Sequence, residues 1–257
     1  MAVQEILVNN SKARLYGCID MPSRSFNDIL LFSHGLLSGV KESQRYAILK
    51  TCLHKHCVAT AGFYFPAHGP RKDERFSLDE CVATLERAIE YITSIFPDKR
   101  LTVAGVSLGS TIISLLSKPH QKSLKGAVLF SIAIDLAQFL SYRFEQRHYD
   151  RWQSYGYSVE RAQEMFTILA TEGRETSIKS KVIASLLGYE PPKLLIHGLN
   201  DTVTKVGDVT AILDQNSTLL VYSGAEATHD IKGVSLACAC DYTAGWVKSL
   251  SSTKLAR

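Results

Sequence analysis

Among the residues able to attack a carbonyl, Ser107 has the most specific setting. Gly105-Val106-Ser107-Leu108-Gly109 follows the apolar run Leu101-Thr102-Val103-Ala104 and leads into a helical stretch. A serine on so tight a strand-to-helix turn adopts an unfavourable backbone conformation. Glycines two places either side remove the β-carbons that would block the turn, and the following helix offers its N-terminus to developing negative charge. A serine hydroxyl is a weak nucleophile at neutral pH, so a base must take its proton as it attacks.

His229 is the candidate base, in the loop Gly224–Asp230 after the last apolar run and near the chain end. His34, His68 and His197 also close apolar runs, but His34 and His197 each precede a glycine, a place that shapes a loop. The third member must orient and support the imidazole. Asp201, in Gly198-Leu199-Asn200-Asp201, lies between serine and histidine in the order this chemistry uses; Asp135, at the end of the preceding run, is the rival. Two backbone donors must hold the oxyanion: the N–H of Leu108 in the turn itself, and the N–H of Leu36 after Ser33-His34-Gly35. Together these residues imply acyl transfer to water through an acyl-serine.

The elements that would carry them follow from hydropathy. Val3 to Val8 and Ala13 to Ile19, split by Asn9-Asn10-Ser11, read as an opening hairpin. Continuous apolar runs at Ile29 to Ser33, Cys57 to Phe65, Leu101 to Ala104, Ala127 to Ile134, Lys193 to His197 and Thr218 to Tyr222 read as strands, most of them buried on both faces. Between them, Glu42 to His56, Ser77 to Phe96, Thr111 to Leu116, Val206 to Leu213 and Leu236 to Leu250 read as helices; the second opens on the capping box Ser77-Leu78-Asp79-Glu80. Alternating strands and helices predict an α/β fold, a mostly parallel central sheet with helices on both faces. Residues 1–136 and 191–257 form its core.

Residues 137–190 break that rhythm. They are polar and aromatic and read as a small, mainly helical cap insertion over the carboxyl ends of the strands, with Trp152 and Tyr155 as candidate substrate contacts. Arg143, Arg147 and Arg151 recur every four residues and would form one helical face, able to meet an acidic or phosphorylated substrate or simply to face water.

Composition narrows the alternatives. Of 257 residues 46% are hydrophobic, enough for one sizeable core, and a formal charge of +4 with both signs interspersed is not the basic field of a nucleic-acid binder. No run reaches the length that spans a bilayer and the N-terminus lacks a secretory pattern, which predicts a cytoplasmic address without stable membrane insertion. Six cysteines without regular spacing read as core residues, and neither a metal nor a cofactor is called for. The expected partner is a small-molecule ester, and the expected state a monomer or homodimer.

Ser33-His34-Gly35-Leu36, the Phe63–Gly69 segment, the Ser107 turn, His197–Asp201 and the His229 loop resemble the α/β-hydrolase superfamily. Within it they are similar to serine hydrolases such as feruloyl (cinnamoyl) esterases and monoacylglycerol-lipase-like enzymes. The resemblance implies hydrolysis of a carboxylic ester, with thioester or amide cleavage, acyl transfer to an alcohol, or a catalytically silent binding protein as alternatives on the same fold. The chain departs from the family where Tyr64 and Pro66 replace an aspartate and a polar residue, and where Ala227-Thr228 precedes the histidine.

Overall fold

The apolar runs pair into one eight-stranded sheet because each can bury both of its faces only between two layers of helix. The computed structural model describes residues 4–10, 13–140, 146–175 and 177–250. Its strands are β1 (Gln4–Asn10), β2 (Ala13–Asp20), β3 (Asp28–Ser33), β4 (Val58–Phe63), β5 (Arg100–Val106), β6 (Gly126–Phe130), β7 (Lys193–Gly198) and β8 (Ser217–Tyr222), in the order β1-β2-β4-β3-β5-β6-β7-β8. The pairs β1–β2 and β2–β4 are antiparallel, and all others are parallel.

Neighbouring residues of one strand serve opposite cores. Ile29, Leu31, Val103, Leu129 and Leu195 face one cluster, with α2 (Leu78–Ile95) and α3 (Leu108–Ser114). Leu30, Phe32, Ala104, Val128 and Leu194 face the other, with α1 (Gln44–Lys55) and α9 (Gly233–Ser249). Helix α2 begins where its capping box predicts: the Ser77 hydroxyl accepts from the Glu80 N–H.

Some elements depart from the sequence reading. β6 stops at Phe130 rather than Ile134, because Ser131 takes a left-handed conformation (φ +44°) that swings the chain out of the sheet. A short α4 (Lys118–Ser123) with proline in its first turn had no clear periodicity, and α8 (Val206–Thr210) is shorter than the stretch read as helix. Between β6 and β7 lie a 3-10 turn, α5 (Gln146–Ser154), α6 (Val159–Glu175) and α7 (Ile178–Leu187). Ala162, Met165 and Leu169 of α6 join the same apolar cluster as the sheet, and Arg161 and Glu172 bond to Glu74 O and Leu78 N. No helix among the described residues is long and apolar enough to cross a membrane.

Candidate active site

The turn after β5 puts Ser107 at φ +51°, ψ −116°, a conformation few L-residues adopt and one that a rigid surround must impose. That surround leaves no room for side chains at the flanking glycines. A β-carbon on Gly105 would stand 2.5 Å from Ser110 N, and one on Gly109 would stand 2.0 Å from Ser33 O. The Ser107 N–H donates to Phe130 O at 2.9 Å, and the Ser33 hydroxyl to Gly109 O at 3.1 Å, so β3, β5 and β6 all hold the turn.

Ser107 Oγ lies 2.9 Å from His229 Nε2, and His229 Nδ1 lies 2.8 Å from Asp201 Oδ2. The consistent tautomer has Nδ1–H donating to the carboxylate and Nε2 accepting from the hydroxyl. Asp201 is itself fixed. Its Oδ1 accepts from the N–H groups of Val203 and Thr204, both at 2.8 Å, and its side chain is fully shielded from solvent. Burial pushes the Asp201 carboxyl up, but hydrogen bonds and positive charge, His229 foremost, outweigh it and hold the group below the usual carboxylate range. The His229 loop reaches this carboxylate because Gly198, at the end of β7, lets it come close: a β-carbon there would stand 2.3 Å from Ala227 O.

Gly35 passes beside the serine, where an added β-carbon would lie 3.8 Å from that of Ser107. The N–H groups of Leu36 and Leu108, the two expected oxyanion donors, have no acceptor among the described residues. The next residue, Leu37, is left-handed (φ +53°) and donates its N–H to His68 Nε2 at 2.9 Å, while His68 Nδ1 donates to Pro66 O. His34 is arranged likewise, its Nδ1 donating to Gly35 O and its Nε2 accepting from Phe65 N. Both imidazoles are buried and held neutral, His34 lowered to about 4 and His68 well below its usual range, in both cases chiefly by burial. The sequence reads His34 as a loop-shaping residue and places His68 only at the end of an apolar run; their positions after adjacent parallel strands are the available signal.

Asp135 stands apart from the imidazole: it pairs with Lys179 at 3.0 Å and accepts from the Ala137 N–H. A different side chain joins Asp201 instead. His197 Nε2 donates to Thr204 O at 2.7 Å and lies 3.4 Å from Asp201 Oδ2. Trp152 is 4% exposed and packs against Tyr149 and Phe166, with ring centroids 5.3 and 5.2 Å away, whereas Tyr155 is half-buried. Of the arginine row, Arg143 lies outside the described residues, and Arg151 is committed to Asp230 at 2.8 Å. Among the described residues no group of His, Cys, Asp or Glu side chains is placed to hold a metal ion.

No family model and no curated protein matches the chain. Solved structures do. Est1E from Butyrivibrio proteoclasticus, with ferulic acid bound, superposes with a TM-score of 0.73 at 15% identity, over 96% of this chain and 100% of that one. A monoacylglycerol lipase from Paleococcus ferrophilus gives 0.69 at 17% identity, over 93% and 100%. The Pyrococcus furiosus esterase Pf2001 gives 0.69 at 16% identity, over 98% and 92%. With the sheet order, the strand-to-helix turn at Ser107 and the helices between β6 and β7, these superpositions give the chain the α/β-hydrolase fold.

Proposed function

We propose that the protein is a serine-dependent carboxylic ester hydrolase. One observation carries the reading: a hydroxyl, an imidazole and a buried carboxylate in a continuous chain of hydrogen bonds, Ser107 to His229 to Asp201, with the hydroxyl on a strained turn. The esterases and lipases among the superposed structures favour an ester as substrate.

In this reading Ser107 Oγ attacks the acyl carbon while His229 Nε2 takes its proton. The N–H groups of Leu36 and Leu108 donate to the oxyanion, a contribution worth on the order of 100-fold or more for each donor. Collapse expels the alcohol, which takes the proton back from the imidazolium, and leaves an acyl-serine. Water then repeats the attack with His229 as base and releases the carboxylic acid. Asp201 keeps the imidazole in the required tautomer and stabilises its charged form. Residues 137–190 serve as the cap over this centre, and the substrate is a small-molecule ester.

The test compares hydrolysis of p-nitrophenyl acetate, and labelling by a fluorophosphonate probe, in the native protein and in Ser107→Ala. We expect the variant to fold, to escape labelling and to lose several orders of magnitude in turnover. A folded Ser107→Ala variant that keeps native activity would overturn the reading.

A further inference from the structure

The residue after the base is held by two cations from different parts of the fold. Arg45, in the first turn of α1, sends a guanidinium under the His229 loop, where it donates through Nη2 to Asp230 O and lies 5.6 Å from the centre of the Phe130 ring. It is 7% exposed, and its Nε finds no partner among the described residues. A cation so buried and so sparsely bonded depends on nearby negative charge, and Asp230 and Asp201 are the carboxylates whose charge it feels. From the other side Arg151, on α5 of the insertion, places Nη1 2.8 Å from Asp230 Oδ2. Elsewhere the loop is tied by its own backbone: Ile231 N donates to Thr228 O, Lys232 N to Glu226 O and Asn200 N to Ala227 O.

We propose that Asp230 is a positioning residue for His229, clamped between Arg45 of the core and Arg151 of the insertion, so that the seating of α5 is felt at the base. The proposal rests on the hydrolase reading, in which His229 must sit at one place and with one proton affinity. The imidazole feels the charges of Asp201 and His197 from the β7 side and of Asp230 from its own loop, and Asp230 in turn feels Arg151 from α5, Arg45 from α1 and Lys232. Burial pushes the Asp230 carboxyl up, but Arg151, Arg45, His229 and Lys232 outweigh it, so it stays ionised. Asp230 therefore adds a negative charge beside the imidazolium, and Arg151 offsets part of it.

Two substitutions should then act in opposite directions. Arg151→Met removes the offsetting cation and favours imidazolium. Asp230→Asn removes that negative charge, leaves the two guanidiniums at residue 230 uncompensated, and disfavours imidazolium. Arg151 is a surface residue and Asp230→Asn is nearly isosteric, so both variants should fold.

The experiment follows the His229 imidazole by NMR titration in the native protein, Arg151→Met, Arg151→Lys and Asp230→Asn. The midpoint should rise by roughly half a pH unit in Arg151→Met, fall by a similar amount in Asp230→Asn and stay near native in Arg151→Lys. Absent shifts, or shifts of one sign in both variants, would overturn the proposal. The titration is read without any substrate, so it stands or falls apart from the hydrolase reading, which fails instead if the native protein cleaves no ester and Ser107 takes no label.

Discussion

The carbonyl oxygen of Ser33 stands 2.0 Å from where a β-carbon on Gly109 would have to be. The turn that exposes Ser107 is thus closed from below by β3, and the glycine is required by backbone rather than by a movable side chain. Gly109→Ala must displace β3 or α3, and we expect a loss of more than about 2 kcal/mol in urea unfolding, together with lost activity. Gly245, on the exposed side of α9 with nothing within 4 Å, is the control. There alanine should stabilise by about 0.5–1 kcal/mol. Equal stability of the two variants would show that the turn has slack the structure does not display.

The two acids separate cleanly. In Asp201→Asn the amide oxygen can still accept from Val203 and Thr204, so the loop should keep its shape. The amide nitrogen then faces His229 Nδ1 and forces the wrong tautomer. Turnover should fall on the order of 10⁴-fold. Asp135→Asn loses only a half-exposed pair with Lys179, and both its activity and its stability should stay near native. Steady-state kinetics on both folded variants decide it, and the reverse ranking would move the acid role to Asp135.

The strand-end places of Ser107, Asp201 and His229 are legible in the sequence because each follows an apolar run whose length and flanking glycines reveal a strand end. What could not be read depends on packing between distant elements. Arg45 looks like any polar residue of a first helical turn, and only the meeting of α1, β6 and the His229 loop turns it inward over Phe130. His197 and His229 lie on separate loops, and their shared carboxylate is a matter of tertiary distance. The apolar run of β6 extends past the strand because Ile132 and Ile134 are as apolar as the strand itself. They are buried, but after a left-handed Ser131 that periodicity does not encode.

Acid should weaken the fold before it reaches the carboxylates. His34 and His68 each use Nε2 as an acceptor for a backbone N–H, so a second proton there would face a donor as well as burial. The folded-state value of His34 is lowered from the usual 6.5 to about 4, and that of His68 is lowered well below 6.5, in both cases chiefly by burial. The unfolded chain therefore binds more protons as pH falls. The stability is fully present above the unfolded value near 6.5 and drains away between there and the folded value. From about pH 7.5 to about pH 5, His34 alone should remove about 2 kcal/mol, with His68 acting in the same direction. Asp201 and Asp230, both held below their usual values, lose stabilising charge only at lower pH. Urea midpoints across this window measure the loss, and a folded-state His34 or His68 resonance titrating near 6.5 would contradict it.

Trp152 in α5 and Tyr155 just beyond its end differ in burial. Trp152 is sealed between Tyr149 and Phe166, and its carbonyl accepts from the N–H groups of Tyr155 and Tyr157, so it fixes the end of α5. Trp152→Ala should cost about 3–5 kcal/mol and lower the rate on every ester in the same proportion, through the folded fraction. Tyr155 is half-buried, with part of its ring packed against the apolar cluster, and is the other residue expected from the sequence to meet an acyl chain. If it does, Tyr155→Ala should change kcat/KM for long or aromatic acyl groups by up to a few kcal/mol in transition-state energy, while an acetate ester, too short to reach it, keeps its rate. An ester series of graded acyl length, run on both variants with unfolding curves alongside, separates the two roles. A uniform loss in Tyr155→Ala would place that ring with Trp152 in the packing of the insertion, and would leave acyl selection to the residues around Ser107 itself.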